Sequence, residues 1–405
     1  MRSKAFPVLT SAMFAGLLVV VPAEAQRGGT VQLPAGAGRE ILQSKCTQCH
    51  GLNLITNSAG FSRDVWGALI PTMVAMPADE AGVLSGYLAA NFPAKPGTRP
   101  SLVSGETSIK IKEWMVPTLG QRSRDPIEAP DGSIWWTGMW ASLAGRLDPK
   151  TGQMKEYPLP PSAKPHTIFP DKDGTIWYTG NSNATIGKLD PSTGKTTEYP
   201  TKARDPHSAV IHQNGRIYFT AQGARMIGRL SPETGEITEV PTEANPYGIQ
   251  AAPDGTLWVA YNGTNKIGAV NPDTLSIRYY EVPDTASRIR RLGLTSDGMV
   301  WYGNNTRGRI GRLNPKTGEV REWLSPSGPT SDPYAFVVVK DIIWYNESGM
   351  RPDTLVRFDP KTERFQSWPI PSGFGIIRNF GVTREGNLII HQSSSNRVGL
   401  VEIQN

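Results

Sequence analysis

The stretch that decides the fold is Asp173-Gly174-Thr175-Ile176-Trp177-Tyr178-Thr179. It continues through Ile186-Gly187-Lys188-Leu189-Asp190-Pro191-Ser192-Thr193-Gly194-Lys195 and closes at Glu198-Tyr199-Pro200. Glycine supplies the positive φ that tight hairpin turns require, so Asp-Gly and Thr-Gly mark two turns. The β-branched and aromatic residues between them read as strands. Working outward, the first turn pair recurs at Asp131-Gly132, Asn214-Gly215, Asp254-Gly255, Asp297-Gly298, Lys340-Asp341 and Glu385-Gly386. Successive spacings are 42, 41, 40, 43, 43 and 45 residues. A period of this length, three hairpins long, makes one four-stranded blade. Seven copies make a seven-bladed β-propeller over 107–405, a mainly β fold.

Strand count also dictates how the ring closes. Ser108 to Trp114 reads as an outer strand standing before the first full unit, whereas the last unit ends at Val401-Glu402 without one. The N-terminal strand is therefore expected to complete the final blade, leaving no unpaired edge at the joint.

Composition agrees with short strands and turns: 42 Gly, 34 Pro, 11 Trp and 12 Tyr in 405 residues, with 19% charged. The net charge is +6, and no Lys/Arg tract points to nucleic acid.

Upstream of the repeats the chain changes character. Arg2 and Lys4, an apolar run Met13 to Val21, and Ala23-Glu24-Ala25 form a secretory signal peptide over 1–25, with cleavage expected after Ala25. The run falls short of the roughly 20 apolar residues that span a bilayer. No membrane span is expected after cleavage, and the periplasm is the expected location. Residues 93–106 hold Pro93, Pro96 and Pro100 and read as a semi-rigid linker.

Both cysteines lie in Cys46-Thr47-Gln48-Cys49-His50. C-x-x-C-H is the attachment signature of c-type haem. Two thiols one helical turn apart meet the two vinyl groups, and the adjacent imidazole becomes the axial ligand. A thioredoxin-like redox pair is the other reading, but it needs a βαβ context that this stretch lacks. Helices are expected at Gly38–Lys45, from Ser62 to about Ala75, and from Pro77 to Phe92. With them, residues 38–92 resemble a class I cytochrome c, a small all-α domain with one covalent haem. The resemblance implies a methionine as sixth ligand. Met73 matches the register Trp66, Ile70, Met73 ahead of Glu80 and Tyr87-Leu88; Met76, in a Met-Pro pair, is the alternative.

The repeat unit, with its D-G-x-[IL]-W-[FY]-T strand and I-G-R-L-D-P-x-T-G element, resembles the streptogramin B lyase (virginiamycin B lyase) family over 107–405. The resemblance implies a histidine and a glutamate that, with a divalent metal, open a cyclic depsipeptide by elimination. At the glutamate position this chain has Gly138, Gly180, Ala221, Tyr261, Asn304, Glu347 and Gln392. Two residues on, at the histidine position, stand Trp140, Ser182, Gly223, Gly263, Thr306, Gly349 and Ser394. No Glu-x-His pair is present.

Counting seven residues back from each turn gives the start of each innermost strand, which faces the central channel: Arg124, His166, His207, Tyr247, Arg290, Tyr334 and Arg378. This donor-rich ring, expected to hold no carboxylate, reads either as polar lining that satisfies inter-blade backbone or as an anion site. Metal ligation by His166 and His207 alone is a third reading. Trp135, Trp177, Trp258, Trp301 and Trp344 share one blade position and are expected to pack between blades.

Three functions follow as candidates. The first is periplasmic electron transfer through the haem domain to a redox partner protein, with the propeller binding a partner or an anionic small molecule. The second is a streptogramin B lyase-like enzyme with accessory haem. The third is a haem-coupled dehydrogenase.

Overall fold

The computed structural model describes residues 32–48, 51–52, 55, 60–93, 97–373 and 375–404. The signal-peptide segment, Cys49 and His50 lie outside the described residues. The fold is a seven-bladed propeller of seven four-stranded antiparallel sheets, preceded by a small helical segment.

The repeat becomes a blade through cross-strand packing. In the second blade, strand Ile176–Gly180 pairs with Thr185–Leu189, placing Tyr178 directly opposite Gly187. A Cβ on Gly187 would lie 2.1 Å from the Tyr178 ring, so the aromatic side chain occupies the space the glycine leaves. Trp136 over Gly145, Phe219 over Gly228 and Tyr302 over Gly311 repeat the arrangement. The Asp-Gly and Asn-Gly turns carry φ of +79° to +89° at their glycines. The recurring tryptophans seal blade to blade as expected: Trp135 packs with Ile176 and Tyr178, Trp258 with Val300 and Tyr302, and Trp344 with Leu388 and Ile390.

The ring closes as the strand count requires. Strand Ser108–Met115 pairs along its whole length with Arg397–Gln404, from Ser108 opposite Gln404 to Met115 opposite Arg397. The final blade thus takes three strands from the C-terminus and one from the N-terminal side.

Among the described residues, helices of the N-terminal segment span Gly38–Lys45, Arg63–Met73 and Ala78–Asn91, and a 3₁₀ turn follows the first at Cys46–Gln48. Ser62 caps the second by accepting from the Val65 N–H at 3.2 Å. Pro77 precedes the third, and Asp79 and Glu80 favour its N-terminal dipole. Leu42, Trp66, Leu69, Ile70, Leu84 and Leu88 form their shared core. Among the described residues no helix is long and apolar enough to cross a membrane.

The segment is docked onto the propeller. The Gly120 N–H donates to the Thr72 carbonyl at 3.0 Å, and the Arg351 guanidinium lies 5.7 Å from the Phe61 ring centre. The proline-rich connection then runs along the sixth blade. There the Arg351 N–H donates to the Thr98 carbonyl at 2.7 Å, and the Val103 N–H donates to Ser367 Oγ at 2.9 Å.

Candidate functional site

Where the helical segment meets the propeller, the two enclose a cavity of about 290 Å³. Cys46, Trp66, Leu69, Ile70 and Met73 line it from the helices; Arg122, Trp140, Arg378, Ser394 and Asn396 line it from the propeller. Cys46 caps the end of one helix and Met73 ends another, and both residues line this one space. Met76 packs against the helical core and is not part of this wall. Trp66 is 2% exposed, and its indole N–H is buried without an acceptor. Such orphans are rare and point to an acceptor on a bound group. A mostly apolar cavity with a thiol, a thioether and an unpaired indole N–H fits a large apolar group held through sulfur.

Behind the cavity lies the channel. Five of the innermost strands shift register at their start, at Arg124/Ile127, Pro206/Ala209, Pro246/Ile249, Ile289/Leu292 and Pro333/Phe336. Such bulges break the two-residue alternation and send consecutive side chains inward. The channel is therefore lined in two layers.

The first layer is the expected ring. The Tyr334 hydroxyl is its focus: Tyr247 Oη lies 2.6 Å away, and Nη1 atoms of Arg290 and Arg378 donate to it at 2.8 and 3.3 Å. Burial would raise the Tyr334 phenol, but Arg290, Arg378 and Arg124 outweigh it and bring it down to about 6. The His166 and His207 rings pack at a tilt of 37° with centres 3.6 Å apart. Burial lowers both imidazoles, helped for His166 by Arg124 and for His207 by His166, and His166 reaches about 3. Both are neutral at pH 7.

The seven ring positions hold no carboxylate, but the second layer sets one directly beside them. Asp125, fully buried, accepts from Thr167 Oγ1 at 2.8 Å and lies 3.5 Å from His166 Nδ1 and 3.6 Å from Arg291 Nη2. Burial opposes its charge, yet His166, Arg291 and Arg124 hold it well below the usual carboxylate range. Arg291 also donates to Ser208 Oγ at 3.0 Å and to the Arg378 carbonyl at 3.2 Å. A chamber of about 110 Å³ lies beside this layer, lined in part by Thr167, Ser208, Arg291 and Asn379. Asp125, Arg291 and Arg122 escaped the sequence reading because it took one inward residue per blade. His391, buried with Nε2 accepting from the Arg378 N–H at 3.2 Å, also escaped it. The detectable signal was the charged doublet: Arg124-Asp125 and Arg290-Arg291 each put a second charge beside a ring position.

Among the described residues, no group of three His, Cys, Asp or Glu side chains is placed to hold a metal ion. Glu347, the one carboxylate at the family's acid position, is fully buried. It accepts from Ser325 Oγ at 2.6 Å and the Ser327 N–H at 2.9 Å, and it also pairs with Ser327 Oγ. It organises the loop between blades. Trp140 and Ser394, at the family's histidine position, lie in the wall of the cavity beneath the helical segment.

Comparison with known proteins places the propeller. The profile of the virginiamycin B lyase family matches residues 103–244 and 238–405, and the helical segment lies outside that match. A solved streptogramin B lyase is 25% identical, with a TM-score of 0.66, covering 73% of this chain and 98% of that one. The virginiamycin B lyase of Staphylococcus aureus is 23% identical with a TM-score of 0.65, over 73% and 99%. Hydrazine synthase of Kuenenia stuttgartiensis shares the fold at 14% identity, with a TM-score of 0.60, over 71% and 97%. No curated protein matches the chain.

Proposed function

The chain belongs to the virginiamycin B lyase family, and from that premise we propose that it is a periplasmic c-type haem protein whose propeller serves electron transfer rather than elimination. One observation carries the reading: Cys46 and Met73 share one mainly apolar cavity whose far wall is the mouth of the propeller channel. Cys46 and Cys49 would hold one haem covalently, and His50 and Met73 would be the ligands to its iron. A haem so ligated supplies one-electron transfer at a raised potential.

The chain's own residues do the rest. Leu69, Ile70 and Val74 give the cavity an apolar wall, and the Trp66 N–H offers a hydrogen bond to a polar edge. Arg378 lines the cavity and also donates to the Tyr334 hydroxyl at 3.3 Å, so one guanidinium spans the cavity and the channel. The cation-rich first layer of Arg124, Arg290 and Arg378 suits a small anion, held by charge-assisted contacts. A redox protein of the periplasm is the expected partner, and export through the signal peptide is part of the proposal.

Elimination by a metal-dependent acid–base pair is the alternative that family membership raises. Trp140 and Ser394 beneath the helical segment, and Glu347 buried at the end of strand Ile342–Glu347 against Ser325 and Ser327, speak against it. The deciding experiment has two arms on the purified full-length chain. An anaerobic redox titration should give a reversible one-electron change in the haem spectrum. A ring-opening assay on a streptogramin B with added divalent metal should give no product. Metal-dependent ring opening without a reversible redox change would replace this reading with the lyase one.

A further inference from the structure

We infer that Arg122 and Arg378, both on the propeller, hold the two carboxylates of the haem seated in the interdomain cavity, so that the propeller sets its potential. The inference rests on the haem reading above and adds which part of the chain meets the polar edge of that group.

The observation is an imbalance of charge. Arg122 and Arg378 both line the cavity, and among the described residues neither forms a salt bridge; the nearest carboxylate influence on Arg378 is Asp332, on the channel side. The Arg122 guanidinium lies 4.7 Å from the Trp140 ring centre, a contact that orients it without neutralising it. Burial lowers Arg122 well below the usual guanidinium range, and repulsion from Arg378 and Arg124 lowers it further. Arg378 keeps its Nε–H buried and unpartnered while Nη1 reaches Tyr334. Two guanidiniums gathered against an apolar space are costly unless an anion arrives between them. Asp125, the carboxylate of the channel, pairs with Arg291 and His166 and forms no ion pair with these two, so among the described residues the only anionic group that Arg378 contacts is the Tyr334 hydroxyl on its channel side.

The opposite wall supplies the complement. Cys46, Leu69, Ile70 and Met73 face the cavity from the helices, and Trp66 adds one orphaned N–H. The ligand implied is an apolar body attached through sulfur on one side and carrying carboxylates on the other. A guanidinium fork matches a carboxylate bidentately, which makes arginine the fitting residue for that edge.

The test is a redox titration of full-length, haem-loaded protein at pH 7, comparing the wild type with Arg122→Gln and Arg378→Gln. A cation beside the haem disfavours the oxidised, more positive state, so each neutralisation should lower the midpoint potential. A tenfold change in the reduction equilibrium is expected, about 59 mV for one electron. The shift should persist at about 1 M sodium chloride, where the screening length falls to roughly 3 Å, because the contact is desolvated. Arg122→Lys keeps the charge but loses the fork, and should fall between. Covalent haem with unchanged potential in both glutamine variants would overturn the inference alone. So would a shift abolished by salt. A wild-type chain lacking covalent haem would instead defeat the underlying functional reading.

Discussion

At the residue scale the channel turns on Tyr334. A phenol that receives hydrogen bonds from two arginines and neighbours Tyr247 behaves as the anion of its own ring, which partly balances the guanidiniums around it. With its native value near 6 and its ordinary value 10.0, the unfolded chain holds a proton between these limits that the native chain lacks. Stability from this group therefore grows as pH rises from about 6 towards 10 and is lost as pH falls through about 6. In the haem-free Cys46→Ala, Cys49→Ala protein, the near-ultraviolet phenolate band of one tyrosine among 12 should appear as pH rises through about 6. It should be absent in Tyr334→Phe. If the haem-free protein with Tyr334 intact shows no phenolate below the ordinary tyrosine range, the convergence of arginines on Tyr334 is not as described. Counting back from the turns was enough to find Tyr334, Arg290 and Arg378 in the sequence. Asp125 and Arg291 were hidden because a bulge violates the alternation that such counting assumes.

At the scale of the element, the repeat's glycine and aromatic form one packing unit. The sequence showed both motifs, but not that they meet, because strand register is set by pairing across a hairpin. Gly187→Ala would drive a methyl into the Tyr178 ring. It should cost about 1–3 kcal/mol in denaturant unfolding, and more if the ring cannot move. In Tyr178→Ala with Gly187→Ala the two costs should fall short of their sum, because the methyl then meets empty space. Simple additivity would show that the pair is not coupled. The closing strand makes a second, independent claim. Ile109 and Ile111 pair with Ile403 and Val401 and pack on the core of the last blade. Replacing both with aspartate buries charge and frees the edge of Arg397–Gln404. The melting temperature should fall and light scattering should rise on heating, as expected of an exposed edge. An unchanged melt would mean that ring closure does not depend on this strand.

For the molecule as a whole, the question is why a lyase-family propeller carries a helical segment over its channel. The period and turn chemistry made the propeller and its closure legible, since each blade is a local hairpin series. The docking was not legible, because it rests on a few contacts between residues distant in sequence. The Gly120 N–H on the Thr72 carbonyl and Arg351 over Phe61 belong to no repeat. What docking produces is one cavity that joins Cys46 and Met73 to Arg122 and Arg378, and through Arg378 to Tyr334. The central claim is that this cavity belongs to a covalently attached haem, and its most direct measurement is a pyridine haemochrome spectrum of protein produced with export and haem-maturation machinery. A c-type spectrum is expected, resistant to acid extraction and absent from the Cys46→Ala, Cys49→Ala protein, which should keep a folded propeller. Haem that extracts into acidified solvent, or a wild-type chain that takes up none, would contradict it.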